Sequence, residues 1–182
     1  MAQYSIVGGW IDQAERCSCP NFGERPNPQD ISLLVIHNIS LPPGEYGGGW
    51  IDRFFANKLD PAAHPYFSDI ANLQVSSHLL IERTGVIKQF VNLEQRAWHA
   101  GRSEFNGREE CNDFSIGIEL EGTDDTPYTD AQYQTLIAVT QAILTCYPAI
   151  DKSRILGHSD IAPGRKTDPG PSFDWSRYKI AL

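Results

Sequence analysis

Four consecutive apolar residues, Leu33-Leu34-Val35-Ile36, stand between turn-forming segments and limit what this 182-residue chain can become. Residues 17–30 hold three prolines, and Leu41-Pro42-Pro43-Gly44 follows, with Gly47-Gly48-Gly49 soon after. A continuous apolar run this short, bounded by such breakers, reads as a buried strand. Ser115 to Glu121 alternates with period two, placing Ile116, Ile118 and Leu120 on one face and Ser115, Gly117, Glu119 and Glu121 on the other. His78–Ile81 and Val86–Val91 flank Glu82-Arg83-Thr84-Gly85, a strand–turn–strand signal. A helix is predicted from about Thr129, as N-cap, to Tyr147, ended by Pro148. Its stripe is Tyr133, Leu136, Ile137, Thr140, Ile143, Leu144 and Tyr147. Shorter helices are expected after the glycines (Trp50 to Phe55) and at the end (Asp174 to Leu182), and a strand over Arg154–Gly157. Strands interleaved with helices, plus a hairpin, indicate an α/β fold: a central mixed β-sheet flanked by α-helices. At this length a single domain over residues 1–182 is expected. Residues 1–30 read as an irregular lead-in.

The net charge is −8, which argues against a nucleic-acid or anionic-membrane binder. Residues 151–182 run against that balance, with six basic and four acidic side chains. At 41% apolar residues the chain can build a core without disulfides. Its four cysteines, Cys17, Cys19, Cys111 and Cys146, match no metal or redox spacing. The N-terminus lacks a basic n-region with a long apolar stretch, so a reduced, cytoplasmic protein is expected. No run approaches the length of a membrane span.

Five histidines are candidates for chemistry, and any one alone is more often structural than functional. Position favours two: His37 follows the apolar run and His158 follows Arg154–Gly157, each where a buried strand emerges into a loop. Asp168, ten residues after His158, lies with Lys166 in a segment stiffened by Pro163, Pro169 and Pro171. Two imidazoles and a carboxylate make a three-ligand zinc set with a fourth position open for water, although the spacing matches no local motif. Glu119 is an ordinary strand carboxylate if its face meets solvent, and a general base if that face lines a cleft.

Six stretches in order resemble one family, the zinc-dependent N-acetylmuramoyl-L-alanine amidases. They are Leu34–Gly48, Asp60–Phe67, Ala97–Gly101, Cys111–Thr123, Tyr128–Tyr133 and Ala162–Trp175. The resemblance is strongest to the AmpD-type cytosolic branch that processes 1,6-anhydro-muropeptides. It implies a peptidoglycan-recognition-like fold, one Zn2+ held by His37, His158 and Asp168, Glu119 as the catalytic carboxylate and Lys166 beside it. It further implies substrate contacts from Asn38, Trp98, His99 and Arg108, with His64 and His78 structural. A monomer acting on muropeptides, without nucleic acid or membrane, is expected. Glu110, Gln74 and Ser159-Asp160 depart from the family pattern, the first two where basic residues would hold stem-peptide carboxylates. Two other readings are an amidase of polymeric peptidoglycan and a non-catalytic peptidoglycan-binding module. The complete ligand set with Glu119 distinguishes the enzyme from the latter.

Overall fold

The apolar run at 33–36 continues through His37 to Ile39 as an interior strand of a six-stranded mixed sheet in the computed structural model, which describes residues 4–182. The strands are β1 (Ile6–Val7), β2 (Trp10–Ile11), β3 (Glu15–Arg16), β4 (Phe22–Gly23), β5 (Leu33–Ile39), β6 (Leu79–Ile81), β7 (Ile87–Gln89), β8 (Arg96–Ala97), β9 (Glu104–Phe105), β10 (Arg108–Glu109), β11 (Ser115–Glu121) and β12 (Ile155–Gly157). The helices are α1 (Trp50–Phe55), α2 (Phe67–Ile70), α3 (Asp130–Cys146), α4 (His158–Ile161) and α5 (Trp175–Ile180). The sheet runs β12-β5-β11-β6-β7-β3. β5 and β11 pair in parallel along their whole length, from Ser115 opposite Leu33 to Glu121 opposite Ile39. β12 and β6 extend this parallel centre on either side, and the predicted hairpin, β6–β7, turns the sheet antiparallel.

Both faces of the centre are covered, which is why β5 reads as an unbroken apolar run. On one face Leu34, Ile36, Ile116, Ile118 and Leu120 pack against Tyr133, Leu136, Val139 and Ile143 of α3 and Tyr178 of α5. Burying each such aliphatic side chain is worth about 1.5–3 kcal/mol. On the other face, Leu33 and Val35 meet Phe114 and Ile161, while α1 and α2 cover Leu80 and Phe90. That second face also carries His37, Ser115, Gly117 and Glu119.

α3 begins as predicted, with a full capping box. The Thr129 hydroxyl accepts from the Gln132 amide, and Gln132 Oε1 accepts from the Thr129 amide, both at 3.1 Å. The predicted stripe omitted Gln132 and Val139, which are also buried; Gln132 serves the sheet by donating to the carbonyls of Ile81 and Glu121.

Residues 1–30 read from sequence as an irregular lead-in; residues 1–3 lie outside the described residues, and 4–30 are irregular only in part. The described part holds four two-residue strands: β1 and β2 pair across Gly8-Gly9, β3 forms the sheet edge beside β7, and β4 pairs with β8. Strands this short show no period to read. Gly9 is required because a Cβ there would stand 2.0 Å from Asn92 Oδ1, at a φ of +76°. Buried Arg25 ties the segment down by donating to the carbonyls of Leu93, Asn112, Asp113 and Ser115. All four cysteines are free, and no helix among the described residues is long and apolar enough to cross a membrane.

Candidate active site

His37 lies in β5 on the face turned away from α3 and is 1% exposed. β12 runs beside β5 and delivers His158, which opens α4 rather than a loop as expected from sequence. Gly157 permits this approach, since a Cβ there would stand 2.8 Å from Pro169. The proline-stiffened loop then returns Asp168. It is held by the Asp168 carbonyl accepting from the Ser159 amide, and by Tyr128 Oη and Asn38 Nδ2 donating to the Pro169 carbonyl. The result is a triangle: His37 Nδ1 lies 3.0 Å from both His158 Nδ1 and Asp168 Oδ2, and the last two are 3.1 Å apart.

This triangle fits a metal ion. His158 Nε2 faces the Ala100 carbonyl at 3.0 Å, an atom that can only accept, so in the neutral ring Nδ1 presents a lone pair. That lone pair meets the Asp168 carboxylate oxygen, and two acceptors in contact repel unless a cation lies between their axes and that of His37. Donors bound at about 2.0–2.2 Å around a tetrahedral ion stand about 3.3 Å apart, close to the edges seen here. Burial lowers the pKa of His37 to about 4, against the opposing hydrogen bond to Asp168, and so keeps the ring neutral. For Asp168, burial pushes upward, but hydrogen bonding to His158 and His37 prevails and holds the carboxyl well below its ordinary range. Neutral imidazole and ionised carboxylate are the forms that ligate.

Glu119 stands on β11 opposite His37 in register, so the two strands present the carboxylate and the imidazole side by side. Its face lines a cleft. Glu119, His158, Lys166 and Asp168 line a cavity of about 560 Å³ together with Leu41, Phe54, Tyr66 and Trp98. Glu119 Oε2 is buried without a hydrogen-bond partner. Burial, followed by the charge of Asp168, pushes the pKa well above the ordinary carboxylate value, with Lys166 opposing. A raised carboxyl beside a metal-binding triangle and an exposed lysine is an arrangement that can move a proton during hydrolysis.

A family model described as N-acetylmuramoyl-L-alanine amidase matches residues 27–171. The chain belongs to this amidase family. It is 61% identical over 174 residues to the 1,6-anhydro-N-acetylmuramyl-L-alanine amidase AmpD of Citrobacter freundii, covering 96% of this chain and 92% of that protein. The Escherichia coli enzyme of the same name is 59% identical over 174 residues, covering 96% and 94%. A crystal structure of an AmpD derivative superposes with a TM-score of 0.95 at 59% identity, covering 97% of this chain and 98% of that one. AmiD of E. coli, solved with anhydro-N-acetylmuramic acid-L-Ala-D-γ-Glu-L-Lys, superposes at 0.62 with 28% identity, covering 98% and 65%.

Within this amidase, the structure brings together six of the residues expected at the site besides His37 and Glu119: Asn38, Trp98, His99, His158, Lys166 and Asp168 line the cavity. Arg108, also expected at the site, does not line the cavity. It sits on β10, paired with Asp30 and stacked 3.8 Å above the Phe114 ring, away from the cavity. Asp30 lies 78 positions away in sequence, so nothing local marked that pairing. His99 lines the cavity while its two ring nitrogens face protein groups, His37 and Ser115. His78 is structural as expected, accepting from the Gly117 amide and facing the Gln95 carbonyl. Glu110 is paired with Arg96, while Gln74 lines the cavity. Sequence reasoning passed over Asn112, whose side-chain oxygen accepts from the amides of both His99 and Ala100. The available signal was the small residues Ser115 and Gly117 beside Glu119, which leave space on that face for another group.

Proposed function

We propose that this chain is a zinc-dependent amidase that cleaves the bond between the lactyl group of 1,6-anhydro-N-acetylmuramic acid and L-alanine of the stem peptide. It acts as a monomer on soluble fragments during cell-wall recycling in the cytoplasm. The observation that carries this reading is the His37–His158–Asp168 triangle beside Glu119, in a chain 59–61% identical to AmpD enzymes over nearly its whole length.

His37, His158 and Asp168 would hold the ion and leave a fourth position open. Bound zinc supplies Lewis acidity, polarising the amide carbonyl and bringing the pKa of water toward neutrality. Glu119 takes the proton of the attacking water and passes it to the departing alanine nitrogen, a task for which its raised pKa suits it. Lys166 points its ammonium charge at the developing oxyanion, a contribution of about 3–4 kcal/mol in comparable sites. Trp98 and the apolar wall offer a stacking surface for the sugar, and Asn38 stands beside His37 with its amide donating to Asp124.

Incubation of the zinc-loaded protein with 1,6-anhydro- and reducing-end muropeptides, followed by mass spectrometry, tests the reading. Free stem peptide and N-acetyl-1,6-anhydromuramic acid are expected, with the anhydro form preferred. No cleavage would overturn the activity, and preference for the reducing-end form would overturn the substrate.

A further inference from the structure

Behind the metal triangle lies a second imidazole. His37 turns Nδ1 to the triangle and Nε2 to His99 Nδ1, 2.8 Å away; His99 in turn places Nε2 3.0 Å from the Ser115 hydroxyl. His99 is held from three sides. The amides of His99 and Ala100 both donate to Asn112 Oδ1, at 3.0 and 2.8 Å. Ser115, fully buried, takes the far nitrogen. Gly117 leaves room for the ring, since a Cβ there would stand 2.5 Å from its Cγ.

A neutral imidazole carries one N–H, so two proton orders satisfy these contacts. If Ser115 donates to His99 and His99 to His37, the remaining proton of His37 lies on Nδ1 and blocks ligation. If His37 donates to His99 and His99 to Ser115, Nδ1 is left with its lone pair. The next residue serves the other ligand: the Ala100 carbonyl, 3.0 Å from His158 Nε2, allows only the tautomer whose Nδ1 is free.

We propose that the His99–Ala100 dipeptide, anchored by Asn112, is the positioning element of the metal site, with His99 accepting the Nε2–H of His37 and so making Nδ1 the ligating atom. This rests on the reading that His37, His158 and Asp168 hold zinc. A group oriented in this way governs ligand basicity and ring angle, and its loss typically weakens metal binding by about 10–100-fold.

Zinc affinity, measured by competition with a chromophoric chelator on the wild type, Asp168→Ala, His99→Phe and His99→Gln, tests the proposal. Asp168→Ala is expected to lose the site; wild-type affinity there would overturn the parent reading. His99→Phe, which keeps an aromatic ring but offers no acceptor, is expected to bind about 10–100-fold more weakly. His99→Gln, whose amide oxygen can accept, is expected to recover part of that loss. If Asp168→Ala loses zinc while His99→Phe binds as the wild type does, or if His99→Gln binds no better than His99→Phe, the positioning role fails and the parent reading stands. Long-range 1H–15N NMR of the zinc-loaded wild type gives a check free of any folding defect. His37 and His99 should both show the Nε2–H tautomer, and a proton on Nδ1 of either would overturn the proposal.

Discussion

Gly117→Ala adds one methyl group at a point where the geometry leaves no space for it. The new Cβ would stand 2.5 Å from Cγ, 2.6 Å from Nδ1 and 2.8 Å from Cδ2 of His99, where carbon contacts normally begin at about 3.5 Å. The ring must retreat by about 1 Å. Gly117 does not have positive φ, so alanine is acceptable to the strand itself and the contact alone carries the effect. Overpacking of this kind costs about 1–3 kcal/mol. The retreat also stretches the 2.8 Å His37–His99 hydrogen bond past its useful range, a further loss of about 1 kcal/mol. Together these amount to about 2–4 kcal/mol, a fall in Tm of about 5–15 °C for a domain of this size. Thermal melts in excess chelator isolate this packing term. Repeated in zinc, they should show a wider gap, because weaker binding returns less stability through mass action. A variant melting within about 2 °C of the wild type, with unchanged zinc affinity, would refute the account of how His99 is held.

Glu119→Gln should keep zinc and lower kcat by about 10²–10⁴-fold, measured by stem-peptide release. Because burial raises the Glu119 pKa in the fold, the charged form destabilises the protein once pH exceeds the unfolded carboxyl value. Glu119→Gln should therefore melt higher than the wild type at pH 7–8, with the gap closing near pH 4 in matched melts. Lys166→Ala should lower kcat by about 10²–10³-fold with little change in Tm, since the side chain is exposed; a change confined to KM would contradict its oxyanion role. Thr129→Ala removes the α3 capping box and the hydroxyl's bond to the Arg83 carbonyl, and should cost about 1–2 kcal/mol in denaturant titration without altering kcat.

Much of the sheet was legible because its centre is long and continuously apolar or strictly alternating: β5, β11 and the β6–β7 hairpin announce themselves through those patterns. α3 was equally legible through Thr129, Pro148 and a 3.6-residue stripe. The N-terminal strands were not, because two residues make no period and their order depends on Arg25 reaching carbonyls some 70–90 positions away. At the site, strand ends and a stiff loop made His37, His158 and Asp168 candidates, while the ligand set and the role of Glu119 followed from the family resemblance. Which way His99 turns its nitrogens, and that Arg108 goes to Asp30, depend on contacts between distant segments and leave no local trace.

One face of β11 carries four unlike duties in succession. Ser115 takes the far nitrogen of His99, Gly117 makes room for its ring and Glu119 faces the cavity. Glu121, buried, accepts from the amides of Gly47 and Arg83 and so ties the glycine-rich loop to the sheet. Side chains on a strand change face at every step, so a shift of one position against β5 would turn all four into the α3 layer at once and bring Ile116, Ile118 and Leu120 into the cleft. The site therefore has no half-assembled form along this strand. Turnover doubles as a proofreading signal for strand alignment, and a chain that hydrolyses its substrate has, by that fact, paired its two central strands correctly.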